Sequence, residues 1–285
     1  MREFRIGLPV EREEDLRLLR GRGRYADDVN AARQTRAFVL RSPHAHARIR
    51  AIDPEAARAA PSVLCVLTGE DVVRENLSGI PCVSFPKQAP GSRAHCPDQP
   101  ILVAAKVRHV GDRVALVVAE TLAQAKDAAE RIDIDYEVLP AVTLADAAQP
   151  GAARVWDEAD SNVSFELEVG DRHEVDEQFA TAFHSTKIRV HYPRASANSI
   201  EPRAALAHPF ATDGRFTLYS STQGPFRVRE VVSGILGMPE LDLRVVAMDV
   251  GGAFGMKGQT YPEEVLVAWA AAKLERPVKW TAERS

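Results

Sequence analysis

Cysteine is scarce in this chain of 285 residues: Cys65, Cys82 and Cys96 are its three, and no two share a C-x-x-C spacing. An odd, scattered set argues against a disulfide scaffold, an iron–sulfur cluster or a zinc site within the chain, and it fits a reducing compartment. Charge of one sign is also missing. Lysine plus arginine number 36 and aspartate plus glutamate 40, interleaved to a net charge of −4. No basic stripe therefore supports binding to nucleic acid or to a membrane surface. No apolar run reaches the roughly 18 residues of a membrane span, and the charge-rich N-terminus has no apolar signal-peptide core. The expectation is a soluble cytoplasmic protein. A composition 45% hydrophobic and 27% charged suits one large or two ordinary domains.

Nucleotide-binding fingerprints are absent too. The stretch DVGGAFGMKGQTYPEE (249–264) has glycines at 251, 252, 255 and 258 and one lysine, Lys257. A phosphate-binding loop needs G-x-x-x-x-G-K-[ST], but here Met256 separates the lysine from its glycine and no hydroxyl follows it. The G-x-G-x-x-G of dinucleotide sites is missing as well. Two readings of the loop stay open. Its glycines serve a tight strand-to-helix turn with positive φ, or they let the backbone approach a ligand while Phe254 supplies an apolar wall.

What is present reads as a mixed α/β chain of the α+β kind. TRAFVLRS (35–42), SVLCVLTG (62–69), DRVALVVAE (112–120) and DIDYEVLP (133–140) predict strands, and PEAARAA (54–60) a short helix. TLAQAKDAAERI (121–132) predicts a helix with Leu122, Ala125, Ala129 and Ile132 on one face. Residues 76–100 hold five prolines and read as a long excursion. The Pro/Gly/Ala-rich stretch 139–156 marks a domain boundary. Beyond it, 186–192, 214–223 and 241–250 predict strands. GPFRVREVVSGILG (224–237) predicts a helix with Phe226, Val231 and Ile235 inward and Gly237 as its stop. YPEEVLVAWAAAKLE (261–275) is the clearest helix, with Pro262 in the first turn, Glu263 and Glu264 set against the dipole, and Val265, Ala268, Trp269 and Ala272 as an apolar stripe. The expected division is an arm over 1–20, one domain over 21–142, a linker over 143–160 and an incomplete second domain over 161–285.

The loop DVGGAFGMK, the STQ at 221–223 and YPEE at the next helix resemble the molybdenum-binding large subunit of the xanthine oxidase, aldehyde oxidase and carbon monoxide dehydrogenase family. GRGRYADDV (21–29), LRSPHAHARI (40–49), VRHVGDRVALVVAE (107–120) and AERIDIDYEVLPAV (129–142) resemble that family's α/β hammerhead domain. NSIEPRAALA (198–207) and ERPVKWTAER (275–284) resemble flanks of its first molybdopterin-binding domain, so the likeness runs in order over about residues 12–284.

The resemblance implies a molybdenum centre held by a pterin dithiolene, in dinucleotide form as in many bacterial relatives. That centre inserts oxygen from water into a C–H bond or oxidises carbon monoxide, and electrons leave to 2Fe-2S and FAD partners. Carried over by motif, Gln223 would hydrogen-bond an oxo ligand of the metal. Gly251, Gly252, Ala253, Phe254, Gly255 and Lys257 would form the loop facing metal and pterin. No residue of this chain is implied as a direct metal ligand. Ala253 stands where many relatives have a third glycine, and Gly258 where purine-oxidising relatives carry a carboxylate, which weakens a xanthine assignment and leaves N-heterocycles, aldehydes and carbon monoxide.

The family's general-base glutamate lies far downstream of this loop, so it is expected on a partner chain, and none of Glu201, Glu263 and Glu264 takes its place. Glu201 is read as structural or as a support behind the residues that face the cofactor. Met1 reads as a natural start, which makes the chain one component of a split subunit working with a completing chain, an iron–sulfur chain and a flavin chain. The rival is a cofactor-handling or assembly protein that keeps the fold without catalysis, and a plain nucleotide-binding enzyme is a more distant reading. The pair His44 and His46 could share one face of a strand, but no third ligand has helpful spacing, so a structural or interface role is expected. Cys96 is read as an ordinary loop cysteine, and Trp156, Trp269 and Trp280 as core or interface residues.

Overall fold

The computed structural model describes residues 7, 9, 12–82, 95–143, 146–165, 167–192, 195–209 and 214–284. Most of the proline-rich excursion, 83–94, and parts of the N-terminal arm and linker lie outside the described residues. In chain order the elements are α1 (Asp15–Leu18), β1 (Thr35–Arg41), β2 (Ala47–Asp53), α2 (Glu55–Arg58), β3 (Val63–Thr68), α3 (Gly69–Arg74), β4 (Lys106–Val107), β5 (Arg113–Ala119), α4 (Leu122–Ala129) and β6 (Asp133–Val138). There follow α5 (Arg172–Thr181), β7 (Ala204–His208), β8 (Phe216–Ser220), α6 (Pro225–Leu236), β9 (Leu243–Val246), α7 (Pro262–Leu274) and β10 (Val278–Thr281).

Seven strands form one sheet in the order β3-β5-β1-β10-β7-β8-β9, and β4-β2-β6 form a second. The large sheet draws on both halves of the chain. Its seam is a parallel pairing of β1 with β10, Thr35 opposite Val278 and Arg36 opposite Lys279. β5 explains how the sheet is covered, because all seven of its residues are buried. Strand side chains alternate between faces, so Ala115, Val117 and Ala119 pack on Ala125, Ala128 and Ala129 of α4. Leu116 and Val118 enter the opposite core with Val265, Leu266 and Trp269 of α7. A strand covered on both faces reads as a continuous apolar run.

Three expectations change. Residues 186–192 are not a strand: no ladder partner pairs with them among the described residues, and Ile188, Val190 and Tyr192 are exposed. An alternating pattern permits a strand, but backbone hydrogen bonds to a neighbour make one. α7 carries no stripe, because Pro262 through Ala271 are all buried; a helix apolar all round lies inside the core. In α6, Phe226 points out at 75% exposure while Val228, Val231, Val232 and Ile235 face in. Gly237 does end that helix, at φ 63°.

The cysteine reading is also corrected. Cys82 and Cys96 are bonded to each other, with Cα atoms 6.1 Å apart. Sequence spacing concealed this because the excursion doubles back: Ile80 N donates to Gln99 O at 2.8 Å and Gln99 N to Ile80 O at 2.9 Å. Cys65 is a free, half-buried thiol, and burial pushes its pKa up to about 11. No helix among the described residues is long and apolar enough to cross a membrane.

Candidate functional site

The glycine loop leaves β9 and enters α7, and four anchors fix it. At its start, the Arg17 guanidinium grips Asp249 with two hydrogen bonds of 2.6 and 2.7 Å. Arg24 N donates to the same carboxylate at 2.8 Å. The Arg17 contact is the main reason that the Asp249 pKa falls to about 2. Sequence reading missed this clamp, since nothing in the spacing of Arg17 and Asp249 links them.

The second anchor lies under the loop. Lys257 is buried, and its Nζ donates to Glu201 Oε2 at 2.7 Å and to Glu201 O at 3.0 Å. Oε2 also accepts from Gly251 N at 2.7 Å. Lys257 thus turns inward and ties the loop to the segment before β7, and the structural role expected of Glu201 is what its contacts provide. The third anchor is Gln223, whose backbone N–H donates to Lys257 O at 2.9 Å while Thr222 Oγ1 donates to the same oxygen at 3.2 Å. The fourth is Tyr261, whose hydroxyl donates to Met256 O.

With its underside bound in this way, the loop presents its upper side. Gly252 and Gly255 have φ of 96° and 86°, and Phe254 itself lies at φ 51° with 79% of its surface exposed. A large apolar ring held outward in the left-handed region, where non-glycine residues are uncommon, marks a functional surface more often than a fold requirement. The Gln223 side chain is exposed as well. A Cβ at Gly258 would lie 3.6 Å from Gln223 Oε1, so a side chain there would enter the space before the amide. At Gly251 a Cβ would meet Glu201 Cβ at 2.6 Å. Here glycine permits close packing below the loop rather than approach from above. The turn reading holds at Gly252 and Gly255, whose φ is positive.

Beneath the site the two carboxylates that open α7 part company. Glu264 Oε2 accepts from Tyr261 N at 2.9 Å and its other oxygen from Ser220. Burial raises its pKa to about 7. It is a helix-start carboxylate, as the sequence suggested. Glu263 is more than that: Arg41 and Arg203 bind its oxygens at 2.6 and 2.9 Å. Despite burial, these arginines and Arg113 bring its pKa down to about 2.

The histidine pair is separate from the loop. His44 packs edge-on against Tyr136 with ring centroids 4.9 Å apart, and His46 Nδ1 meets Pro140 O at 2.7 Å. Both precede β2 rather than alternate along it. No metal-binding group of three or more His, Cys, Asp or Glu occurs among the described residues. Trp269 and Trp280 are core residues, and Trp156 carries the Arg108 guanidinium 3.7 Å from its ring centroid.

The chain has a consistent set of relatives. Residues 20–140 match the family described as aldehyde oxidase and xanthine dehydrogenase, a/b hammerhead domain. Residues 155–285 match the molybdopterin cofactor-binding domain. The nicotine 6-hydroxylase large subunit of Paenarthrobacter nicotinovorans is 37% identical over 281 residues, 98% of this chain and 33% of that protein. The carbon monoxide dehydrogenase large chain of Afipia carboxidovorans is 34% identical over 98% of this chain and 35% of its own length. Among solved structures, quinoline 2-oxidoreductase from Pseudomonas putida 86 superposes with a TM-score of 0.87 at 39% identity, covering 98% of this chain and 35% of that one. The chain spans about a third of the length of the curated relatives it matches. Two matching domains in order, on a fold shared at this level, place the chain in the xanthine dehydrogenase and carbon monoxide dehydrogenase large-subunit family, as its hammerhead domain followed by a molybdopterin cofactor-binding domain.

Proposed function

We propose that this chain is the cofactor-holding N-terminal component of a molybdenum hydroxylase, in which the loop 251–258 and Gln223 bind one side of a molybdopterin. The observation that carries the reading is their adjacency. An exposed, glycine-bearing strip and an exposed neutral amide are tied at the backbone by the 2.9 Å bond from Gln223 N to Lys257 O. The donor set suits the group: backbone N–H and an amide stabilise charge on oxygen atoms without competing as metal ligands. When bound, the group supplies a two-electron oxidation of substrate with oxygen drawn from water.

In this reading Gln223 orients the group by donating a hydrogen bond from Nε2. Phe254 walls the site and helps keep water out. Lys257, Glu201, Arg17 and Asp249 hold the loop in place. The general base, the 2Fe-2S and FAD electron carriers and the dinucleotide portion's contacts belong to further polypeptide. The exposed Phe179, Phe183, Ile188 and Tyr192, within one short stretch of chain, support such a partner, because so much apolar surface left in water suits an interaction surface. The substrate would be an N-heterocycle, an aldehyde or carbon monoxide. Native purification with elemental analysis for molybdenum and mass spectrometry of co-purifying chains tests this. Molybdenum together with a glutamate-bearing completing chain is the expected result, and an intact complex free of molybdenum would sink the reading.

A further inference from the structure

A second site lies where α7 meets β1 and β5, and it is independent of the molybdopterin reading. Arg41, Arg113, Arg203, Tyr261 and Glu263 line a pocket of about 540 Å³. Three guanidinium groups converge there on one buried carboxylate. Glu263 gives one oxygen to Arg41 at 2.6 Å and the other to Arg203 at 2.9 Å, and Arg113 is left 3.9 Å away. The residue Arg113 is only 5% exposed, and its Nε and Nη2 have no hydrogen-bond partner among the described residues.

Nearby acids do not supply the missing acceptor. Asp112 is engaged by His109 at 3.0 Å and by Arg108 N at 2.8 Å. Glu283, on the pocket rim, is paired with Lys126. Glu264 is turned to Tyr261 N and Ser220. Arg203 is held by stacking 3.9 Å from the Tyr261 ring centroid, so its fork is preorganised. A buried guanidinium cannot shed its proton at ordinary pH, and leaving two of its nitrogens without acceptors is costly.

We propose that this pocket is an oxyanion-binding site, in which a carboxylate or phosphate group accepts from Nε and Nη2 of Arg113 and from the solvent-facing edge of Arg41. The planar fork of arginine suits two-oxygen acceptors of this kind. The oxyanion comes either from a free small anion or from an acidic side chain of polypeptide beyond this chain.

The test is thermal unfolding of the 285-residue chain in sodium phosphate and in sodium chloride at equal ionic strength. Phosphate should raise Tm over chloride by about 5 °C at a hundredfold excess over Kd. Arg113→Met should abolish that difference between phosphate and chloride, since it removes the two unsatisfied donors, Nε and Nη2. Arg41→Gln, at a half-exposed position, should keep the fold and weaken phosphate binding about tenfold, so the test survives if Arg113→Met does not fold. Equal Tm in phosphate and chloride for the natural chain, or an unchanged phosphate response in Arg113→Met or, where that variant does not fold, in Arg41→Gln, would overturn the proposal. Repeating the scan on the chain within its purified complex separates the sources. A phosphate shift that persists indicates a free anion, and one that disappears indicates a carboxylate supplied by the completing polypeptide.

Discussion

The Lys257 ammonium lies 2.7 Å from Glu201 Oε2, with the lysine side chain fully buried and the glutamate nearly so. This ion pair is one of the four anchors that hold the glycine loop from below. Removing one member leaves a bare charge in the interior. Lys257→Met or Glu201→Gln should each cost about 3–5 kcal/mol of stability, and the double variant should recover much of that loss. Urea unfolding of the three variants checks it, and single losses that simply add would show that the two residues act separately.

The two kinds of glycine should respond differently to alanine. Gly251→Ala drives a Cβ to 2.6 Å from Glu201 Cβ, whereas Gly255, at φ 86°, has open space around it. Gly255→Ala should cost about 1–2 kcal/mol from backbone strain alone. Gly251→Ala should cost more and also disturb the ion pair. Comparing their denaturation midpoints tests the order.

Phe254 should separate fold from function. It is exposed at φ 51°, so Phe254→Gly relieves strain and should leave stability unchanged or raise it by up to about 1 kcal/mol. If the ring walls a cofactor, the same variant should retain less molybdenum after purification. Full retention would assign the ring to a subunit contact instead.

Glu264 gives stability a pH dependence of definite sign. Its pKa rises on folding from 4.5 to about 7 because it is buried, so the folded state binds the extra proton between those values. Its contribution is fully present below about pH 4.5 and is lost as pH rises through 7, at up to about 1.4 kcal/mol per pH unit. Glu263, with its pKa brought down to about 2, acts oppositely and only below pH 4.5. Glu264→Gln keeps an acceptor for Tyr261 N and should flatten the stability profile between pH 5 and 8. A profile identical to that of the natural chain would contradict this assignment.

Much of the fold was legible because its pattern is local. β1, β3, β5, β6, α4, α6 and α7 follow from apolar periodicity and from Pro262 and Gly237 at helix ends. Local pattern could not show β10 or β7, since VKWT (278–281) has a lysine in the middle and becomes a strand only between β1 and β7. The buried Lys279 reads as surface until it meets Val29 O and Asn30 Oδ1 at 3.0 and 3.2 Å. At the site, the glycines, Phe254 and Gln223 were visible as a motif. The anchors Arg17, Asp249 and Glu201 were not, because ion pairs spanning 50 to 230 residues leave no spacing to read. The Cys82–Cys96 bond, only 14 residues apart in sequence, was hidden instead because no C-x-x-C-like spacing marks it.

The β1–β10 seam also sets a timetable for folding. β1 gains one neighbour from β5 by residue 119 but waits for Val278–Thr281 to fill its other edge. Thr35 N and Oγ1 both donate to Pro277 O, across 242 residues. At a synthesis rate of roughly 5–20 residues per second, that edge stays bare for some ten seconds or longer on the ribosome. An unpaired apolar strand edge is a template for association with other chains. The nascent hammerhead half is therefore the stage at which this protein most needs a chaperone, and slowing translation between residues 120 and 278 should lower its soluble yield.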